Sequence, residues 1–180
     1  MAEQILPSDV VAFWKEAGPD KWYAKDKAFD TDFRLKFKAA HWAASRGDLA
    51  DWIDSAEGAL ALLILLDQYP RNSFRGSAHQ FATDGLALAT AREAIRRGYL
   101  EAFEPELRQF LVMPLMHSEA PADQDALIPL CEGMPETLKY AHIHRDIIAR
   151  FGRFPHRNAV LGRETTPDEQ AFLDGGGFAG

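Results

Sequence analysis

Two short stretches of this chain each set a guanidinium and an amide just behind an aromatic and a proline: Tyr69-Pro70-Arg71-Asn72 and Phe154-Pro155-His156-Arg157-Asn158. Arginine's planar fork matches a carboxylate or a phosphate, and asparagine both donates and accepts, so both stretches carry recognition chemistry. Arg75 and Arg153 add two cations close by. His117-Ser118-Glu119 supplies an imidazole that titrates near neutrality and a carboxylate. Asp67 is joined directly to the apolar run Ala59 to Leu66. A carboxylate there is desolvated, and an unpaired buried charge is costly, so Asp67 needs a cation.

Three kinds of chemistry fit these residues. In the first, Asp67, Arg71, Asn72, Arg75, His117, Glu119, Arg153, His156, Arg157 and Asn158 line a cleft that binds an anionic small molecule or a peptide carboxylate. In the second, His117 or His156 is the general acid or base of an enzyme whose arginines stabilise developing negative charge. In the third, Asp67 and Glu119 neutralise Arg71, Arg75 or Arg157 in an internal network that takes no ligand. Binding rather than catalysis is the expected role, and no residue is assigned to a catalytic step. Either functional reading requires the two aromatic-proline turns and His117-Ser118-Glu119 to meet around one pocket.

Other motifs carry less. On a helix His142 and His144 point about 200° apart and cannot share an ion, so His144 is expected as a hydrogen-bonded core histidine and His142 as a solvated partner of Asp146. No H-E-x-x-H, Walker loop, dinucleotide glycine motif or G-x-S-x-G occurs. No metal and no cofactor are expected. Cys131, flanked by Leu127, Ile128 and Leu130, belongs to the core.

Helices must position these groups. The apolar run is polar on no side, so it belongs at the centre of the fold, yet it is far short of the about 20 residues a membrane span needs. Asp54 and Glu57 open this central helix as a capping box, and Pro70 should end it, leaving Arg71 to Ser77 as a tight loop. Ser8 caps a first helix that runs to Glu16. Phe29, Phe33, Phe37, Ala40 and Ala44 form a helical stripe between Asp26 and Arg46. Thr83-Asp84 opens a helix to about Arg97, and Pro105 another, kinked at Pro114. Pro129 kinks or divides the segment from Pro121 to Gly133. Between Glu136 and Phe151, Tyr140, Ile143, Ile147, Ile148 and Phe151 make one apolar face, and Thr166-Pro167-Asp168-Glu169 caps a last short helix. No β-branched alternation occurs, so the fold class is all-α, of seven to nine helices. A single domain should span residues 1–174, with 175–180 as a loose tail.

The blocks LLILLDQYPRNSFRG, FLVMPLMHSE and ARFGRFPHRNAVLGR resemble the signature blocks of the bacterial domain-of-unknown-function 924 family. The likeness runs from VVAFW to the last capping box. It implies a tetratricopeptide-repeat-like fold of stacked antiparallel helix pairs, although no 34-residue repeat is visible. It also implies that Asp67, Gln68, Pro70, Arg71, Asn72, Arg75, Gly76, His117, Ser118, Glu119, Gly152, Pro155, His156, Arg157 and Asn158 are the positions the family stresses. It assigns none of them a catalytic role.

Composition bounds the rest. With 180 residues, 47% hydrophobic and 26% charged, the chain can bury a core without disulfide or metal staples. The start, MAEQILPSD, has no secretory signature, and one cysteine fits a reducing compartment, so the expected location is the cytoplasm. The net charge of -7 argues against a nucleic-acid partner, and no membrane association is expected. Tyr140 to Arg163 nonetheless holds five arginines against Asp146, a local +4. Those cations serve either an anionic ligand or the acids of their own fold.

Overall fold

The computed structural model of the chain describes residues 5–178 and 180. The fold is all-helical, with no strand among the described residues. Its helices are α1 (Pro7–Ala17), α2 (Pro19–Trp22), α3 (Lys27–Ser45), α4 (Ala56–Leu63), α5 (Tyr69–Ser73), α6 (Asp84–Arg96), α7 (Pro105–Met116), α8 (Pro121–Leu130), α9 (Pro135–Phe151) and α10 (Pro167–Asp174). A π-helical turn, Ile64–Gln68, joins α4 to α5, so the three make one rod. The rod is central: Ala59 to Leu66 are all buried, and α1, α3, α6 and α7 pack around it. The stripe on α3 is buried as its spacing requires.

Helix starts differ from expectation by one or two residues where two caps compete. Leu6, not Ser8, is the N-cap of α1, because Pro7 fixes the first helical position and Asp9 accepts the Leu6 N–H at 2.8 Å. Ser55, not Asp54, caps α4 by accepting the Gly58 N–H, while Asp54 stays in the preceding 3-10 turn. That turn lies directly on the new helix: a Cβ at Gly58 would sit 2.0 Å from the Trp52 carbonyl oxygen, so no larger residue fits. Tyr140 is exposed, so the inner face of α9 is Ala141, His144, Ile147 and Ile148. Pro129 falls in the last turn of α8, which stays one helix.

The largest departure is at Pro70. The helix does not end there but continues to Ser73. Proline lacks an N–H and its ring excludes the carbonyl four residues back, which would normally break the ladder. Here the wider π-turn precedes it, and the released carbonyls find side-chain donors from other helices. His41 Nδ1 donates to Leu65 O at 2.9 Å, and the Thr83 hydroxyl donates to Leu66 O. Arg71 Nη1 donates to Asp67 O at 2.9 Å. A π-turn of this kind re-aims the side chains that follow it.

Candidate functional site

The rod delivers Asp67 into the interior with 1% of its side chain exposed. Gln68 Nε2 donates to one carboxylate oxygen at 2.6 Å. Arg71, one turn further on, reaches the other at 2.9 Å, and His117 Nδ1 meets that same oxygen at 2.7 Å. Burial raises the Asp67 pKa, but the Arg71 guanidinium and His117 outweigh it and hold the group below the usual carboxylate range. Asp67 is therefore ionised and can only accept, so His117 carries its proton on Nδ1. Burial and the Arg71 charge lower the His117 pKa against the pull of Asp67, which keeps the ring neutral at pH 7. Among the described residues its Nε2 has no hydrogen-bond partner, and 15% of the side chain is exposed.

The two arginine turns meet at Asp84. Arg71 grips it with two hydrogen bonds, 2.8 and 3.0 Å, and Arg157 reaches it at 3.4 Å. Arg157 Nη2 also donates to His117 O at 2.9 Å. The Arg157 guanidinium lies between the rings of Phe81 and Phe154, 4.5 and 4.6 Å from their centres. Burial and the neighbouring Arg71 bring its pKa down to about 10, so it stays charged at neutral pH. Its Nε is buried and donates to nothing among the described residues. Two carboxylates and two guanidiniums thus balance, with a neutral imidazole on top.

The remaining expected site residues have other partners. Asn72 and Arg75 both bond Asp30 on α3, fastening the end of the rod to that helix. Glu119 binds Arg163 through both oxygens and accepts the Phe154 N–H at 2.8 Å. Arg153 pairs with Glu169 of α10, which Asn158 also reaches. His156 lies beside Phe154, with Nδ1 buried and without a partner among the described residues; burial, then the Arg157 charge, pushes its pKa down to about 3. The structure therefore brings Asp67, Arg71, His117 and Arg157 into one cluster. It ties Asn72, Arg75, Glu119, Arg153 and Asn158 into flanking staples.

Asp84 and Phe81, which build the cluster, carry no mark in the sequence beyond the opening of α6 at Asp84. An acid thirteen residues after Arg71 and facing the rod was the available signal. Two shallow surface hollows, one touching Phe13, Lys21 and Phe29 and the other Trp22, Phe103 and Leu107, include no cluster residue. Among the described residues no group of three or more His, Cys, Asp or Glu is arranged to hold a metal ion.

Fold and site together define an all-helical domain whose central rod ends in a buried, charge-balanced cluster. The chain belongs to the family described as bacterial protein of unknown function (DUF924), whose model matches residues 10–177. A solved structure, that of the protein of unknown function ATU0120 from Agrobacterium tumefaciens, is similar: 51% identical, covering 94% of this chain and 97% of that one, with a TM-score of 0.92. No curated protein matches. Among the described residues no helix is long and apolar enough to cross a membrane.

Proposed function

We propose that this protein binds a small anionic molecule where His117 and Arg71 reach the surface beside the buried Arg157, in the cytoplasm. The observation that carries the reading is His117: Asp67 holds Nδ1 at 2.7 Å and leaves the Nε2 lone pair free for a ligand. Arg71, 17% exposed and bonded to the same Asp67 oxygen, sets a guanidinium beside the ring. A ligand with an anionic group beside a hydroxyl or acid proton, such as a hydroxycarboxylate or phosphate monoester, supplies both complements. A peptide carboxylate offers only the first.

The cluster's own charges cancel, so a bound anion leaves it one charge negative. That surplus raises the His117 pKa, and binding takes up a proton. Affinity should then rise as pH falls through the neutral range. The test is a thermal-shift panel of phosphate, phosphate monoesters, simple carboxylates and hydroxycarboxylates at pH 6 and pH 8. We expect melting-temperature increases that are larger at pH 6 and absent in His117→Ala. If no member of the panel raises the melting temperature of the wild type at either pH, the reading fails.

The Asp67–His117 pair favours a second reading. A neutral imidazole held by a buried carboxylate, with its second nitrogen free, is the arrangement of a general base. In an enzyme, Nε2 would take a proton from a bound hydroxyl or water while the two arginines stabilise the developing charge. Turnover of a chromogenic phosphate or carboxylic ester that His117→Ala abolishes would select this reading over binding alone.

A further inference from the structure

Beyond α10 the chain turns back on itself. Gly175, Gly176 and Gly177 each donate an N–H into the last turn of that helix. Gly177 passes so close to Phe172 that a Cβ there would lie 2.5 Å from its ring, so the turn admits no larger residue. The turn sets the Phe178 ring against two histidines, 4.5 Å from His144 and 5.5 Å from His156 between ring centres. No backbone hydrogen bond from Phe178 holds it among the described residues. Its ring is half-buried, and three glycines precede it, so its ordering entropy opposes a small contact.

The two histidines that wall this slot are both neutral at pH 7, since burial pushes His144 to about 4 and His156 to about 3. His144 is also anchored, its Nδ1 donating to Tyr140 O at 2.8 Å. Neutral, fixed imidazoles offer flat faces and edges to an aromatic ring. The slot adjoins the charge cluster through Phe154. That ring packs on His144 at 5.3 Å and His156 at 5.7 Å, and it also covers the Arg157 guanidinium.

We infer that the space between His144 and His156 is a binding site for a planar aromatic ring, filled by the chain's own Phe178, and that Phe178 is displaced by an anionic ligand bearing such a ring. This inference narrows the ligand class proposed above and rests on that reading for the anionic half alone. A molecule of this shape sets its ring over His144 and directs its charged group past Phe154 toward the exposed edge of the charge cluster.

The experiment compares wild type with Phe178→Ala by isothermal titration, using phenyl phosphate, inorganic phosphate and neutral benzyl alcohol. Phe178 lies outside every helix, so the variant should keep its circular dichroism spectrum. We expect Phe178→Ala to bind phenyl phosphate and benzyl alcohol about three- to tenfold tighter than wild type, the worth of one aromatic contact. Inorganic phosphate should bind both alike. Phe178→Trp, which refills the slot, should return both ring-bearing probes to wild-type affinity. If neither ring-bearing probe gains affinity in Phe178→Ala, the slot is refuted whatever phosphate does. If benzyl alcohol gains while no phosphate binds either protein, the slot stands and the anion site falls.

Discussion

At the scale of single residues, the cluster is a set of unequal partners. Removing Arg71 leaves Asp67 buried with only His117 and Gln68, and leaves Asp84 on the more distant Arg157. Arg71→Ala should therefore cost about 3–5 kcal/mol, the usual penalty for stranding a buried charge. Arg157→Ala strands no carboxylate, because Asp84 keeps its paired hydrogen bonds to Arg71. It should cost clearly less than Arg71→Ala in urea unfolding. Equal costs would mean that Arg157 neutralises the interior as much as Arg71 does. The need of Asp67 for a cation was legible from its place at the end of an apolar run. Which cation answered was not, because three arginines were available and only the folded path chooses. Glu119 took Arg163, a residue with no special mark in the sequence.

Among the elements, the joint at Pro70 governs the geometry. A proline after an apolar helix reads as a stop, and by local rules it is one. The chain continues because Thr83 and His41, 13 residues after and 29 before Pro70, satisfy the carbonyls that a π-turn and a proline release. Local sequence cannot reveal partners so distant, whereas the stripe on α3 depends only on its own spacing and was fully legible. Thr83→Val keeps the shape but strips the donor from Leu66 O. We expect a loss of about 1–3 kcal/mol by chemical denaturation, the cost of an unsatisfied buried acceptor. A neutral outcome would mean that the carbonyl finds another donor. The segment expected to hang loose after Asp174 places Phe178 on α9 for a similar reason, since its contact is made with histidines distant in the chain.

On the scale of the whole molecule, three of the five arginines between Tyr140 and Arg163 find carboxylates within the fold. Arg153, Arg157 and Arg163 go to Glu169, Asp84 and Glu119, and Arg150 lies over the rings of Phe151 and Phe172. The main core around the rod and the smaller one of Ile147, Ile148 and Phe154 are bridged by these pairs. Acid should weaken the bridge in two stages. His144 and His156 are held at about 4 and about 3 against an ordinary 6.5, so below 6.5 the unfolded chain takes up protons that the folded chain refuses. Stability present at pH 7 should decline as pH falls from 6.5 toward 4, by about 2 kcal/mol at pH 5 from His144 alone. The Asp67 contribution should persist to lower pH, because its folded pKa is depressed and its stabilisation is lost only as pH drops through that value. His144→Phe should flatten the decline between pH 6.5 and 5 in urea unfolding curves; an unchanged slope would assign it to other groups.

The most direct measurement is the protonation of His117, read from imidazole nitrogen shifts in 15N-histidine-labelled protein at pH 7 and assigned by the signal lost in His117→Asn. We expect one proton, on Nδ1, with Nε2 bare, and loss of that preference in Asp67→Asn. A proton on Nε2, or on both nitrogens, would contradict the claim that the buried carboxylate orients the ring and leaves its outer nitrogen free.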